Sequence, residues 1–168
     1  MPSSDDTSPD RPIADLISGG RTIAMLMTMI GSEHTSRPLT CVEVDDDRLA
    51  FLVSKDFDWV KAIQAGRATV HVTVADDGHN TYLALNGDAT ITDRIDDLQR
   101  LWTPAAKVWF EGADDPRLSA VYFVVRSGEY WDGPNGKVSQ AIAMVRGLIT
   151  GDQNAVGDQG SVTGADDR

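Results

Sequence analysis

Residues 68–92, ATVHVTVADDGHNTYLALNGDATIT, decide the fold. The first part, ATVHVTVA, places β-branched residues at every second position, the period of a half-buried strand. Asp76-Asp77-Gly78 is a hairpin-type turn, and the apolar run resumes at Tyr82 and continues to Thr92. Asn86-Gly87 interrupts that second run, the signature of a bulge or sharp bend of the kind that lets a sheet turn a barrel corner. A tight turn between two such strands makes them antiparallel neighbours.

Upstream, TIAMLMTMI (22–30) is a nearly continuous apolar run of strand length, followed by the turn-like GSEH. RPLTCVEV (37–44) reads as a second strand, Asp45-Asp46-Asp47 as a turn, and RLAFLV (48–53) as a third strand. Over residues 55–65 the period changes. Phe57, Val60, Ile63 and Gln64 fall on helical spacing, with Ser54 or Asp56 as the cap and Gly66 as the stop. Ile13 to Ser18 reads as a short helix ended by Gly19-Gly20, and two further short helices are predicted over 93–102 and 104–110. LSAVYFVVR (118–126) is the last strong strand, and the Gly133-Pro134-Asn135-Gly136 turn leads into a helix over 137–148. About six strands, mostly joined by short turns, give a mainly β (α+β) antiparallel barrel with flanking helices rather than a βαβ fold. The expected organisation is a disordered leader over 1–11, one domain over 12–150, and a mostly flexible acidic tail over 151–168 in which 156–162 is the ordered exception.

The chain has 168 residues, one domain's worth, with 41% hydrophobic and 24% charged residues. A formal charge of -11 argues against nucleic acid, whose phosphates are bound through clustered Lys and Arg. Cys41 is the one cysteine, so no internal disulfide forms, and no Cys/His pair has zinc spacing. No apolar run approaches the roughly 20 residues that span a bilayer. With a polar, acidic start, these features lead us to expect a cytoplasmic protein with no membrane or nucleic-acid partner.

Four segments resemble the general stress protein group of the pyridoxamine 5′-phosphate oxidase-like split barrels. They are Ser36-Arg37-Pro38-Leu39 leading to Glu43, then Phe51-Leu52-Val53-Ser54-Lys55-Asp56, then LWTPAAKVWFEGADDPRL (101–118), and finally GEYWDGPNGKV (128–138). The last two are specific, and the match runs in order over about residues 12–150. The resemblance implies a six-stranded split β-barrel that forms a homodimer, with flavin mononucleotide (FMN) between subunits and a small-molecule redox substrate. Related barrels hold a deazaflavin in a similar groove. It also implies that Arg37, Ser54 and Lys55 face the phosphate and that backbone at Thr40 and Val53 meets the isoalloxazine edge. An arginine fork and the start of a helix suit an anion.

At Phe57, Asp58 and Trp59 the group usually carries Ser, Pro and Lys, of which Ser and Lys help hold phosphate. Two aromatics and a carboxylate there imply weaker flavin binding or a different ligand. Lys61 lies two residues farther along, on another helical face, as a substitute cation. Trp59 either packs on the barrel or walls the ligand groove. Trp102, Trp109 and Trp131 read as core or dimer-interface residues, with Trp109 also a candidate for ring contact with the flavin. His34 is placed in the turn before Arg37, and Lys107 four residues before Glu111 suggests a surface ion pair. No nucleophile–base pair, Walker motif or dinucleotide glycine motif is present, so catalytic residues are not assigned and redox chemistry falls to the cofactor.

Overall fold

The alternation in residues 68–92 becomes a hairpin. Strands β4 (Ala68–Asp76) and β5 (Thr81–Thr92) pair antiparallel from Asp76↔Thr81 to Val70↔Gly87. The register of β5 against β6 (Leu118–Asp132) shifts between Asn86 and Gly87, the bulge that the sequence announces. Only glycine fits there, because a Cβ on Gly87 would lie 2.1 Å from the carbonyl oxygen of Val124.

The computed structural model describes residues 12–78, 80–132 and 158–163. With β1 (Ile23–Ile30), β2 (Glu33–Asp45), β3 (Arg48–Ser54) and β7 (Asp158–Thr163), the strands run in the order β3-β2-β1-β4-β5-β6-β7. Pairing of β3 with β6 closes the first six strands into an antiparallel barrel. Helix α1 (Asp58–Gln64) is inserted after the third strand, and α2 (Ile95–Leu101) with a 3-10 turn (Pro104–Val108) precedes β6. Among the described residues no helix is long and apolar enough to cross a membrane.

Several boundaries differ from expectation for local reasons. Gly31, at φ 62°, makes a two-residue hairpin with Ser32, so β2 begins at Glu33 and His34 lies in a strand opposite Met29 rather than in a turn. Helix α1 starts at Asp58 with Phe57 as its cap residue, not Ser54 or Asp56, and no side chain caps it. Its end is as predicted: Gly66, at φ 65°, donates to Ile63 O and Arg67 donates to Ala62 O, a Schellman closure. Strand β6 runs on through Glu129 and Trp131, which pair with Ala84 and Tyr82. Strand β7 adds to the far half of β6, from Ser127↔Thr163 to Asp132↔Asp158. The predicted leader, the helix over 137–148 and the rest of the tail lie outside the described residues.

The barrel interior is filled by alternate residues of its strands, including Leu26, Phe51, Val72, Leu85, Val121 and Phe123. Val60 and Ile63 of α1 join them and plug one end. A second cluster lies outside the wall, where Leu98, Leu101 and Phe110 pack on Ala50, Leu118 and Ala120.

Candidate ligand groove and the Arg37 stack

The barrel is split along one seam. Strands β2 and β3 pair from Asp45↔Arg48 to Cys41↔Phe51, with a register shift between Cys41 and Glu43, and no farther. Beyond that point Glu33 to Thr40 pair only with β1, while Leu52, Val53 and Ser54 pair only with β6. Among the described residues these two strand edges therefore have no sheet partner along the seam, each offering main-chain donors and acceptors.

Arg37 sits beside this seam, on the inward side of β2. Its register neighbours on that side are Leu26 and, one step along, the Thr28–Thr35 pair. The guanidinium donates from Nη1 and Nη2 to Thr28 Oγ1, both at 3.2 Å, and from Nη2 to Thr35 Oγ1 at 2.5 Å. The two threonine hydroxyls lie 3.0 Å apart. The Trp59 ring covers one face of the guanidinium, with Cζ 4.3 Å from the ring centroid. Phe57 stacks alongside Trp59, centroids 6.2 Å apart and planes 17° from parallel. Partial burial lowers the affinity of Arg37 for its proton, and no carboxylate pairs with it among the described residues. Hydroxyls and a π face solvate this cation in place of water.

The corner between β3 and α1 is less open to anions than the sequence implies. Lys55 N–H donates to Arg117 O at 2.9 Å, Asp56 N–H to Ser54 Oγ at 3.3 Å, and Phe57 N–H to Ser54 O at 3.4 Å. These three donors are engaged within the chain. The Lys55 side chain is exposed and Ser54 is half-buried. Lys61 is exposed and pairs with Asp58 at 3.8 Å, one turn back on α1. Thr40 points to the outer face beside Ile23, and Val53 is buried, so Val53 can offer only main-chain atoms. Trp109 follows the 104–108 turn and is 75% exposed, and Val108 is 77% exposed, so neither is a core residue of a single chain. Trp102 packs against the second cluster, and Trp59 against the first. Among the described residues Lys107 and Glu111 form no ion pair.

Three arrangements went unread in the sequence. The first is the Thr28–Thr35 pair, legible in principle because Thr28 takes an inward position within an apolar run. The second is a clamp in the loop before β6. Buried Asp115 accepts from Glu111 N and Arg117 N and holds the Arg117 guanidinium at 2.7 and 3.1 Å. The Arg117 side chain and these N–H groups hold the Asp115 carboxyl far below the usual carboxylate range. The third is an outer network in which Arg100 contacts Glu43 and donates to Tyr122 Oη at 2.7 Å, while Arg48 lies 4.6 Å over the Tyr122 ring. Cys41 is buried, and desolvation pushes its thiol up to about 11, so it is an inert packing residue.

The donor set divides sharply when set against a flavin nucleotide. The paired free edges of β2 and β3 suit the alternating N–H and C=O pattern of a planar heterocycle. The cation expected to hold its phosphate has both terminal nitrogens and one face in use.

A six-stranded antiparallel barrel split on one seam, with a helix inserted after the third strand, is the split-barrel architecture. The family model described as "Pyridoxamine 5'-phosphate oxidase like" matches residues 10–155, and the chain belongs to that family. Among solved structures it is similar to a general stress protein 26 of Jannaschia sp. CCS1, at 25% identity and TM-score 0.70, covering 83% of this chain and 89% of that one. It also shares its fold with a protein of Xanthomonas citri described as a general stress FMN/FAD binding protein, at 24% identity and TM-score 0.60, covering 70% and 84%. General stress protein 26 of Bacillus anthracis follows at 18% identity and TM-score 0.59, covering 66% and 84%. No curated protein matches the sequence.

Proposed function

We propose that this protein is a cytoplasmic homodimer that binds a flavin in the split between β2 and β3 and uses it for oxidoreduction of a small molecule. The observation that carries this reading is the seam itself: two strand edges, at Arg37 to Thr40 and at Leu52 to Ser54, have no sheet partner along it among the described residues. Family membership supports it, as does the flavin named for the Xanthomonas relative. Main chain near Thr40 and Val53 would hold the ring edge. A second copy would cover apolar side chains that one chain leaves exposed, among them Ile23 and Met25 on β1 and Val108 and Trp109 before the second cluster. A bound flavin supplies the electron transfer, and the chain's part is to bind it, orient it and exclude water.

Purified, cofactor-stripped protein titrated with flavins tests the proposal. A bound-flavin absorption spectrum on a sedimenting dimer supports it. A folded monomer with no spectral change on addition of FMN, riboflavin or a deazaflavin refutes it. A second reading, flavin holding without efficient turnover, is favoured by the aromatic crowding at Phe57 and Trp59. Anaerobic mixing with a nicotinamide donor separates the two: rapid bleaching of the flavin supports oxidoreduction, and none supports holding.

A further inference from the structure

We infer that this chain binds its flavin by the ring and not by the phosphate, because Arg37 is an internal plug of the barrel mouth rather than a phosphate ligand. The inference rests on the flavin reading above and concerns which part of the ligand the site recognises. A phosphate monoester is a dianion that needs several convergent donors, typically a bidentate arginine fork with a second cation or free main-chain N–H groups.

Several of those donors are engaged within the chain, the exposed Lys55 side chain not among them. Both terminal nitrogens of Arg37 are directed at Thr28 and Thr35, and Trp59 covers a face of the guanidinium. Phe57 extends the aromatic wall beside Trp59. Lys61 faces Asp58, whose carboxylate would repel a dianion from the start of α1. The N–H groups of Lys55, Asp56 and Phe57 close the corner turn instead of opening toward a ligand. To turn its terminal nitrogens to a phosphate, Arg37 would have to release the Thr28 and Thr35 hydroxyls, of which Thr28 is fully buried.

The experiment compares FMN with riboflavin, which carries the same ring and no phosphate, on the stripped full-length protein. The plug predicts affinities that agree within about threefold, under 1 kcal/mol apart. Arg37→Gln should change neither ligand by more than about threefold. FMN binding at least about tenfold tighter than riboflavin, with the preference lost in Arg37→Gln, overturns the inference while leaving the flavin reading intact. Phe57→Ser with Trp59→Lys should create a preference for FMN, and Phe57→Ser alone serves if the pair fails to fold, since Phe57 is exposed. If the wild type binds neither ligand, the flavin reading fails. FMN binding gained by these variants then still supports the plug, and none gained removes both.

Discussion

Two arginines in this molecule are each held from several sides, and their surroundings differ in kind. Arg117 meets a buried carboxylate, Asp115, which also receives two main-chain N–H groups. Arg37 meets two hydroxyls and an indole, with no carboxylate among the described residues. The first arrangement is a neutralised clamp that fixes a loop, and through Arg117 O it also fixes the β3–α1 corner at Lys55. The second keeps its charge unbalanced and dispersed over soft partners at the seam. A clamp of the first kind depends on pH through its carboxylate. A stack of the second kind has nothing that titrates between mild acid and neutrality, because the guanidinium stays charged throughout.

Removing the carboxylate should have the largest effect. Asp115→Asn leaves Arg117 and two N–H groups short of an acceptor in the loop that supports β3 and β6, and thermal unfolding should show a greater fall in Tm than Trp59→Ala, Arg37→Ala or Lys61→Ala produces. The sign of its pH dependence follows from the depressed carboxyl. A group whose pKa is lower folded than unfolded stabilises the fold above its unfolded value and ceases to do so as pH falls through its folded value. The wild-type advantage over Asp115→Asn should therefore be constant from neutral pH to about 5 and shrink below about 4. A constant difference down to the acid limit would break the contrast between the two arginines.

Trp59→Ala comes next. The ring is half-buried against the barrel core and roofs Arg37, so denaturant unfolding should show a loss of about 2 kcal/mol. A double-mutant cycle of Arg37→Ala with Trp59→Ala should give a coupling near 1 kcal/mol that is unchanged between pH 5 and 8. Coupling near zero would mean that the ring only packs on the barrel and does not hold the guanidinium. The smallest effect is expected at Lys61. Its pairing with Asp58 is exposed and within one helix turn, so Lys61→Ala should cost less than about 0.5 kcal/mol.

The barrel was legible because its strands alternate and because Asn86-Gly87 announced the bulge that β6 accommodates. What failed were edges whose chemistry is polar. Glu33 and His34 look like part of a turn, yet they extend β2 because the two-residue Gly31-Ser32 hairpin sets the register. Strand β7 carries Asp, Gln, Gly and Ser, with little β propensity, and is held by pairing with β6. At the site, Arg37 and Trp59 were each singled out, but their contact spans a strand and a helix and no local pattern encodes it. Thr28 was open to inference: its inward parity on β1 places a hydroxyl inside an apolar run, opposite Thr35. At the corner after β3, the N–H groups of Lys55, Asp56 and Phe57 bond within the chain, which sequence alone does not distinguish from free N–H groups.

The most direct test of the central claim is a flavin titration of stripped protein, read by flavin fluorescence with sedimentation in parallel. Saturable binding of one flavin per chain at micromolar or tighter Kd, about -8 kcal/mol or better, on a dimer is the predicted result. A folded protein that saturates with no flavin, phosphorylated or not, would contradict it.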